Sequence, residues 1–231
     1  MKSIQSRILV VVISALLVMT AVVSTIGVYM THNIMHKDAD RILKNVCQKE
    51  AAQINDTMND VTKSVAIMEH YATTELDDVQ NLKNEAYREE YLQKMKNLYE
   101  EVALNTNNIE AFYFRLNPEF SNSTAGFFKG VDHKTQELRE YATTDLSQYP
   151  ATDMEHVGWY YIAIKSKEGT WIEPYKNRVS HESIISYVMP FYSEGTLAGV
   201  IGMDINFTEF VKSIDSITVY ERGYAILSNG D

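Results

Sequence analysis

The sequence predicts an α+β chain with an N-terminal transmembrane helix, a long stalk helix, and then a module built on an antiparallel sheet. Three observations carry that prediction. Ile8 to Met30 is a run of 23 residues without a charge. Residues 31–104 contain neither Pro nor Gly. From Trp159 to Phe207 the pattern changes to short apolar or alternating runs separated by turn residues.

The first run is long enough to cross about 30 Å of hydrocarbon as a helix. A cleaved signal peptide has a shorter apolar core, about 7–15 residues, followed by a small-residue cleavage site. Thr31-His32-Asn33-Ile34 offers no such site, so residues 8–30 read as an anchor. Lys2 and Arg7 precede it and belong in the cytoplasm by the positive-inside rule. The chain is then a single-pass protein of the cell membrane, with residues 1–7 cytoplasmic and everything after Met30 extracytoplasmic.

Residues 31–78 follow as the stalk helix. Leu43, Cys47, Ala51, Ile54, Met58, Val61, Val65, Met68 and Ala72 recur at spacings of three and four, a heptad seam. Such a seam packs either on its own domain or on the same helix of a second copy in a parallel homodimer, and the spacing alone leaves both open. A second helix is expected over about Val79 to Asn105, where Tyr87, Tyr91, Leu92, Met95, Leu98, Tyr99 and Val102 fall at helical spacing. Asn105-Thr106-Asn107-Asn108 stops it.

Ile109 to Leu116 reads as the first strand, with loops over Ser121 to Gly126 and Asp132 to Thr135. Trp159 to Ile164 and Trp171 to Tyr175 flank Lys167-Glu168-Gly169 as strand, turn and strand. Ile184 to Met189 puts Ile184, Ser186 and Val188 on one face and Ile185, Tyr187 and Met189 on the other, and Pro190 closes the run. Leu197 to Ile205 pairs with it across Ser193-Glu194-Gly195. The segment is therefore expected to be a meander of about four strands. Phe207 to Ser216 is a short helix with Thr208 as its cap, and Gly223 to Leu227 restarts a strand.

Composition narrows the function. The formal net charge is −10, and residues 1–31 contribute +2 through Lys2 and Arg7, so the rest carries −12. An acidic body repels phosphate, which argues against nucleic acid as a partner. The single cysteine, Cys47, precludes an intrachain disulfide and a cysteine zinc site. The six histidines lack metal-ligand spacing. His32 and His36 share a helix face, but without a third ligand they read as residues of the headgroup boundary. No metal and no cofactor are expected. An anchored extracytoplasmic hydrolase is the enzymatic alternative, and the chain has no Gly-x-Ser-x-Gly, His-Glu-x-x-His, P-loop or dinucleotide fingerprint. A structural surface protein is the other alternative.

Four short motifs occur in order: Trp159-Tyr160, Trp171-x-x-Pro174-Tyr175, Ile185-Ser186-Tyr187-x-x-Pro190, and Gly199-Val200-x-Gly202-x-Asp204-Ile205. In order and spacing they resemble the membrane-distal module of double Cache (dCache) domains, the extracytoplasmic sensors of bacterial chemoreceptors, sensor kinases and cyclic-dinucleotide enzymes. The resemblance implies a PAS-like Cache module over residues 79–216. It also implies that residues 217–231 open a membrane-proximal module that the chain leaves incomplete. The implied function is extracytoplasmic small-molecule sensing by a membrane-anchored bacterial receptor. Its partners would be the ligand, the bilayer and a second copy of the stalk helix.

In many relatives the amino-acid grip combines a cation two residues before the Trp, an Asp two residues after the Tyr of Pro-Tyr, and the Asp of Gly-x-Asp. Trp159, Tyr175 and Asp204 match this pattern, whereas Val157 stands at the cation position and Asn177 at the first acid. The usual α-amino-acid grip is thereby altered. An amine, an amino acid or another small polar compound fits what remains, with Arg115 as a substitute partner for an anionic group. Trp159, Tyr160, Tyr175, Asn177, Asp204, Arg115, Tyr113 and Tyr187 are the candidate ligand-binding residues. Asp204 is equally suited to a structural role in the following turn.

Overall fold

The computed structural model describes residues 4–132, 135, 137–176 and 183–215. The chain divides into two units, residues 1–52 and 53–231.

Residues 4–52 are helical throughout and form the N-terminal part of α1 (Ile4–Thr74). The apolar stretch is long and uncharged enough to cross a membrane, and its side chains are exposed in the isolated chain. The Ser14, Thr20 and Thr25 hydroxyls donate to the carbonyls of Val11, Leu16 and Ala21, so these polar groups are satisfied within the helix. Farther along, the seam residue Leu43 is half-buried, while Cys47 and Ala51 are exposed.

In the second unit the seam behaves differently. Val61, Val65, Met68 and Ala72 are fully buried in the domain's own core. This part of the repeat packs at home, one of the two outcomes the spacing left open. The Tyr91 hydroxyl donates to the Ala72 carbonyl at 2.7 Å, satisfying one of the acceptors that a helix C-terminus leaves over.

α1 ends at Thr74, earlier than the expected stalk boundary at residue 78. Asp78 starts a 3-10 turn over Val79–Lys83 by accepting from the Gln80 amide. Asn84 then caps α2 (Glu85–Leu104) through the Tyr87 amide. The single helix expected from Val79 is therefore interrupted, because two short polar side chains take up backbone donors that a continuous helix would use internally.

The sheet consists of β1 (Ile109–Leu116), β2 (Gly126–Asp132), β3 (Glu137–Tyr141), β4 (Thr170–Lys176), β5 (Ser183–Ser193) and β6 (Thr196–Asn206). Its order is β3-β2-β1-β6-β5-β4, antiparallel throughout. β1 matches its expected limits. β2 and β3 were not anticipated, since their residues are mixed and half-exposed and lack clean alternation.

The β5–β6 hairpin forms as expected. Glu194 and Gly195 both have positive φ, 50° and 80°, as a two-residue turn matched to strand twist requires. Pro190 does not end β5, which continues to Ser193. Pairing with β4 stops at Val188 opposite Thr170, so the missing Pro190 amide falls where no outer strand needs it.

The main correction concerns Trp159 to Ile164. These residues lie in α3 (Met154–Ser166), so the expected four-strand meander is a helix followed by three strands. β-favouring aromatic and branched side chains suggested a strand, but capping decides otherwise. Asp153 accepts from the His156 amide at 3.0 Å, and Val157, Tyr160 and Ala163 recur every third residue on the buried side. Lys167 closes the helix in the left-handed conformation with φ 62°. α4 (Phe207–Asp215) forms as expected, but Asn206 rather than Thr208 caps it, accepting from the Glu209 amide. The expected strand at Gly223 to Leu227, and the whole of 217–231, lie outside the described residues.

Two layers cover the sheet. Phe112, Phe114, Phe191, Ile201 and Met203 pack with α1 and α2 on one face. Tyr113, Val188 and Val200 pack with Val157, Tyr160 and Ala163 of α3 on the other. Within the sheet Gly199 leaves no room for a side chain, since a Cβ would lie 2.2 Å from the Arg115 carbonyl oxygen of β1 and 2.5 Å from the Phe191 ring of β5. A backbone atom cannot move aside cheaply. Gly199→Ala is expected to cost about 1–3 kcal/mol as overpacking, measured as a lower urea midpoint, and an unchanged midpoint would contradict this packing.

Candidate ligand-binding site

Alternation along three central strands sends one set of polar side chains to the α3 face of the sheet. On β1 these are Tyr113 and Arg115, on β6 Asp204, and on β5 Ser186, with Ala111 opposite Asp204 and Asp204 opposite Ser186. Gly202 sits opposite Tyr113, and a Cβ there would lie 2.3 Å from the Tyr113 ring. Gly202 thus lets the ring lie across β6. The ring is held by Trp159 edge-on at 5.0 Å between centroids and by Phe128 at 6.1 Å.

Between this face, α3 and residues 142–149 is a cavity of about 490 Å³. Tyr113, Arg115, Phe128, Asp145, Tyr149, His156, Trp159, Tyr175 and Asp204 are among its lining residues. Its volume lies within the range of small-molecule pockets, roughly 300–1,000 Å³. The Trp159 indole N–H donates to the His156 carbonyl at 3.2 Å, so the ring offers the cavity an apolar wall. His156 stacks on Tyr149 at 4.1 Å and its Nδ1 meets the Asp153 carboxylate at 2.9 Å.

Asp204 is 1% exposed. Ser186 Oγ donates to Asp204 Oδ1 at 2.6 Å, and Tyr175 shares a 2.9 Å hydrogen bond with Ser186 Oγ. Serine has one proton to give and gives it to the aspartate, so Tyr175 is the donor to Ser186. Asp204 Oδ2 has no hydrogen-bond partner among the described residues. The Tyr113 hydroxyl lies against this pair: Asp204 raises its pKa and it lowers that of Asp204, although no hydrogen bond of good geometry joins them among the described residues. Burial raises the Asp204 pKa to about 7, opposed by the Ser186 hydrogen bond and assisted by repulsion from Glu110.

Arg115 is 2% exposed. Its Nη2 donates to the Ser123 carbonyl at 2.6 Å, while Nε has no partner among the described residues. Burial lowers its pKa to about 10, and Tyr160 and Asp145 act in the opposite direction. Asp145 itself is held low, to about 2, chiefly by the Ser123 and Ser147 side chains. The Tyr160 hydroxyl is buried, coupled to Arg115 and unpartnered.

Of the eight candidate residues, Tyr113, Arg115, Trp159, Tyr175 and Asp204 line the cavity, and Tyr160 packs behind it on α3. Tyr187 does not join them. Strand alternation sends it to the opposite face, where it packs on Trp171 at 5.1 Å. Asn177 lies outside the described residues. Val157, at the expected cation position, is fully buried among apolar neighbours of α3. Sequence reasoning missed Ser186 as a site residue, although a serine inside the apolar run Ile-Ile-Ser-Tyr-Val was a visible signal. It also missed the wall formed by residues 142–149, which carries no motif.

The raised Asp204 pKa has a stability consequence. An unfolded aspartate titrates near 4, so the folded chain holds this proton more tightly. The stabilisation is fully present below pH 4 and is lost as pH rises to about 7. Asp204→Asn should therefore gain stability relative to the parent chain as pH rises from about 4 to 7, and the gain should level off above that. Parallel denaturation curves for the two chains across this window would refute the assignment.

Residues 95–212 match the family model described as methyl-accepting chemotaxis protein-like, first PDC sensor domain. Over 92 residues the chain is 33% identical to the methyl-accepting chemotaxis protein PctB of Pseudomonas aeruginosa, covering 39% of this chain and 15% of that protein. Among solved structures, methyl-accepting chemotaxis protein X aligns with TM-score 0.56 and 15% identity, covering 75% of this chain and 64% of that one. The ligand-binding domain of the Campylobacter jejuni chemoreceptor Tlp3, solved with L-valine, aligns with TM-score 0.54, 15% identity and 75% and 62% coverage. That of the P. aeruginosa amino acid chemoreceptor PctC, solved with GABA, gives 0.52, 18%, and 80% and 68%. At these identities the structural likeness is one of fold.

Proposed function

Since the chain belongs to the methyl-accepting chemotaxis protein-like family of first PDC sensor domains, we propose that it is the extracytoplasmic sensing part of a membrane-anchored receptor whose ligand carries an amine. The observation that carries this reading is Asp204 Oδ2, a buried carboxylate oxygen without a geometric hydrogen-bond partner among the described residues, in a cavity walled by aromatics. Desolvation makes a lone carboxylate costly, and an ammonium placed against it recovers that cost as a charge-assisted hydrogen bond. Tlp3 and PctC, solved with valine and GABA, share the fold, and both ligands carry an amine. The ligand is bound and released unchanged. The chain spans 15% of the length of its relative PctB, and the output of the whole receptor is left to the parts beyond this span.

Signalling follows from differential affinity. A ligand that prefers one of two arrangements of the sensor shifts the population toward it, and α1 carries the difference toward the bilayer. In this proposal residues 8–30 span the membrane, with Lys2 and Arg7 on the cytoplasmic side. The seam of half-buried Leu43 and exposed Cys47 and Ala51 pairs with the same residues of a second copy.

Isothermal titration of the full chain in lipid nanodiscs with a panel of small amines tests the first part. Asp204→Ala and Trp159→Ala should each weaken binding at least tenfold, and affinity should fall about tenfold per pH unit below pH 7 as Asp204 takes up its proton. Unaltered affinity in Asp204→Ala would sink the reading. For the seam, mild oxidation of the membrane-embedded chain should give a Cys47-linked dimer in high yield, and persistence of the monomer would argue against parallel pairing.

A further inference from the structure

His32 and His36 stand four residues apart on α1, in the first turns beyond the uncharged run that ends at Met30. Side chains at that spacing are neighbours on one helix face. Both are exposed, and their Nε2 atoms lie 3.2 Å apart, with the rings inclined at 64°. If one ring donates Nε2–H to the other, this is a hydrogen bond at the long end of the usual range, on an exposed face where it contributes little. If both lone pairs face one cation, the distance has a second meaning. Two nitrogens about 2.0–2.1 Å from a tetrahedral zinc ion are about 3.3–3.4 Å apart. At the right angles of a square-planar copper or nickel site they are about 2.8–3.0 Å apart. The observed 3.2 Å falls closer to the tetrahedral edge.

Two imidazoles fill only half of a tetrahedron, and among the described residues no third His, Cys, Asp or Glu joins them. The phase of the helix indicates a source for the other half. His36 is seven residues before Leu43 and eleven before Cys47, which is one heptad and three turns. It therefore shares the face of α1 that carries Leu43 and Cys47, and His32 lies one turn nearer the bilayer on that face. In a parallel two-fold pair each residue of the seam meets its own counterpart. Two copies so paired bring four imidazoles to one level.

From this placement we infer that His32 and His36 of two copies form a shared site for a divalent transition ion of the zinc type, just outside the membrane. The inference rests on the parallel pairing of α1 proposed above and adds a ligand set to it. Within one chain the missing third ligand argued against a metal, and a second copy removes that objection. Imidazole nitrogens suit zinc, whereas calcium and magnesium take oxygen ligands. The ion clamps the two helices where they leave the bilayer, the point through which any ligand-driven movement of α1 has to pass.

The test is loading of the full chain, in nanodiscs that hold two copies, with zinc sulfate and separately with cobalt chloride. The parent should retain one zinc ion per two chains after gel filtration, and bound cobalt should show the intense visible absorption of tetrahedral coordination. His32→Ala and His36→Ala each remove two of the four ligands and should weaken zinc binding at least a hundredfold. His70→Ala, at another exposed histidine of α1, should leave it unchanged. All three positions are exposed on a helix, so the variants keep the fold. Crosslinking through Cys47 after removal of metal by a chelator reports the pairing separately. A Cys47-linked dimer that retains no zinc, one ion retained per chain, or retention undiminished in His32→Ala and His36→Ala overturns the shared site while the pairing stands. A chain that gives no Cys47-linked dimer with or without zinc overturns both.

Discussion

Everything at the candidate site depends on the central strands being covered on both faces. β1, β5 and β6 have no solvent side, so each residue of these strands must either pack or find a polar partner. The α1–α2 face meets this demand with phenylalanines, methionine and isoleucine. The α3 face does not. It keeps an aspartate, an arginine, a serine and tyrosines in positions where water cannot serve them, and much of their bonding capacity is unused. Two glycines make the arrangement possible by giving up side-chain space, Gly199 to the Arg115 backbone and Phe191, and Gly202 to the Tyr113 ring.

The polar groups of this face differ in how firmly they are held. Tyr175, Ser186 and Asp204 form a directed chain of hydrogen bonds across β4, β5 and β6 that fixes one carboxylate oxygen and leaves the other free. Fixing one oxygen sets the direction in which the other acts, and so pre-organises it. Arg115 is tethered more lightly, through Nη2 to the Ser123 carbonyl, which also accepts from the Leu146 amide next to Asp145, itself organised by Ser147 and Gln148.

Much of the fold was legible in the sequence because the signals were local and strong. The uncharged run at 8–30, the strand at Ile109 to Leu116 and the Glu194-Gly195 hairpin each follow from composition, period or turn chemistry. The helix α3 was hidden because its aromatic and branched residues favour strands, and the deciding element was a cap at Asp153 that lies before the conspicuous segment. The edge strands β2 and β3 carry little burial and hence little pattern. At the site, Trp159, Tyr175 and Asp204 were found through their motifs and Arg115 through strand alternation. Tyr187 was misplaced because facing depends on which side of the sheet α3 covers, which no local pattern states. The heptad seam read as one continuous feature, yet Val61, Val65, Met68 and Ala72 are core, while Leu43, Ile54 and Met58 are half-buried and Cys47 and Ala51 are exposed. Spacing cannot register that difference.

The two-residue turn at Glu194 and Gly195 also bears on the order in which the site assembles. Ser186 and Asp204 face one another within a single hairpin, and closing so short a loop costs little chain entropy. β1 must find β6 across most of the domain's length, a far slower search. The contact that orients the carboxylate is thus short-range in sequence, whereas those that bring Tyr113 and Arg115 beside it are long-range. The acidic end of the cavity is a local product of the chain, and the basic end is a product of its topology.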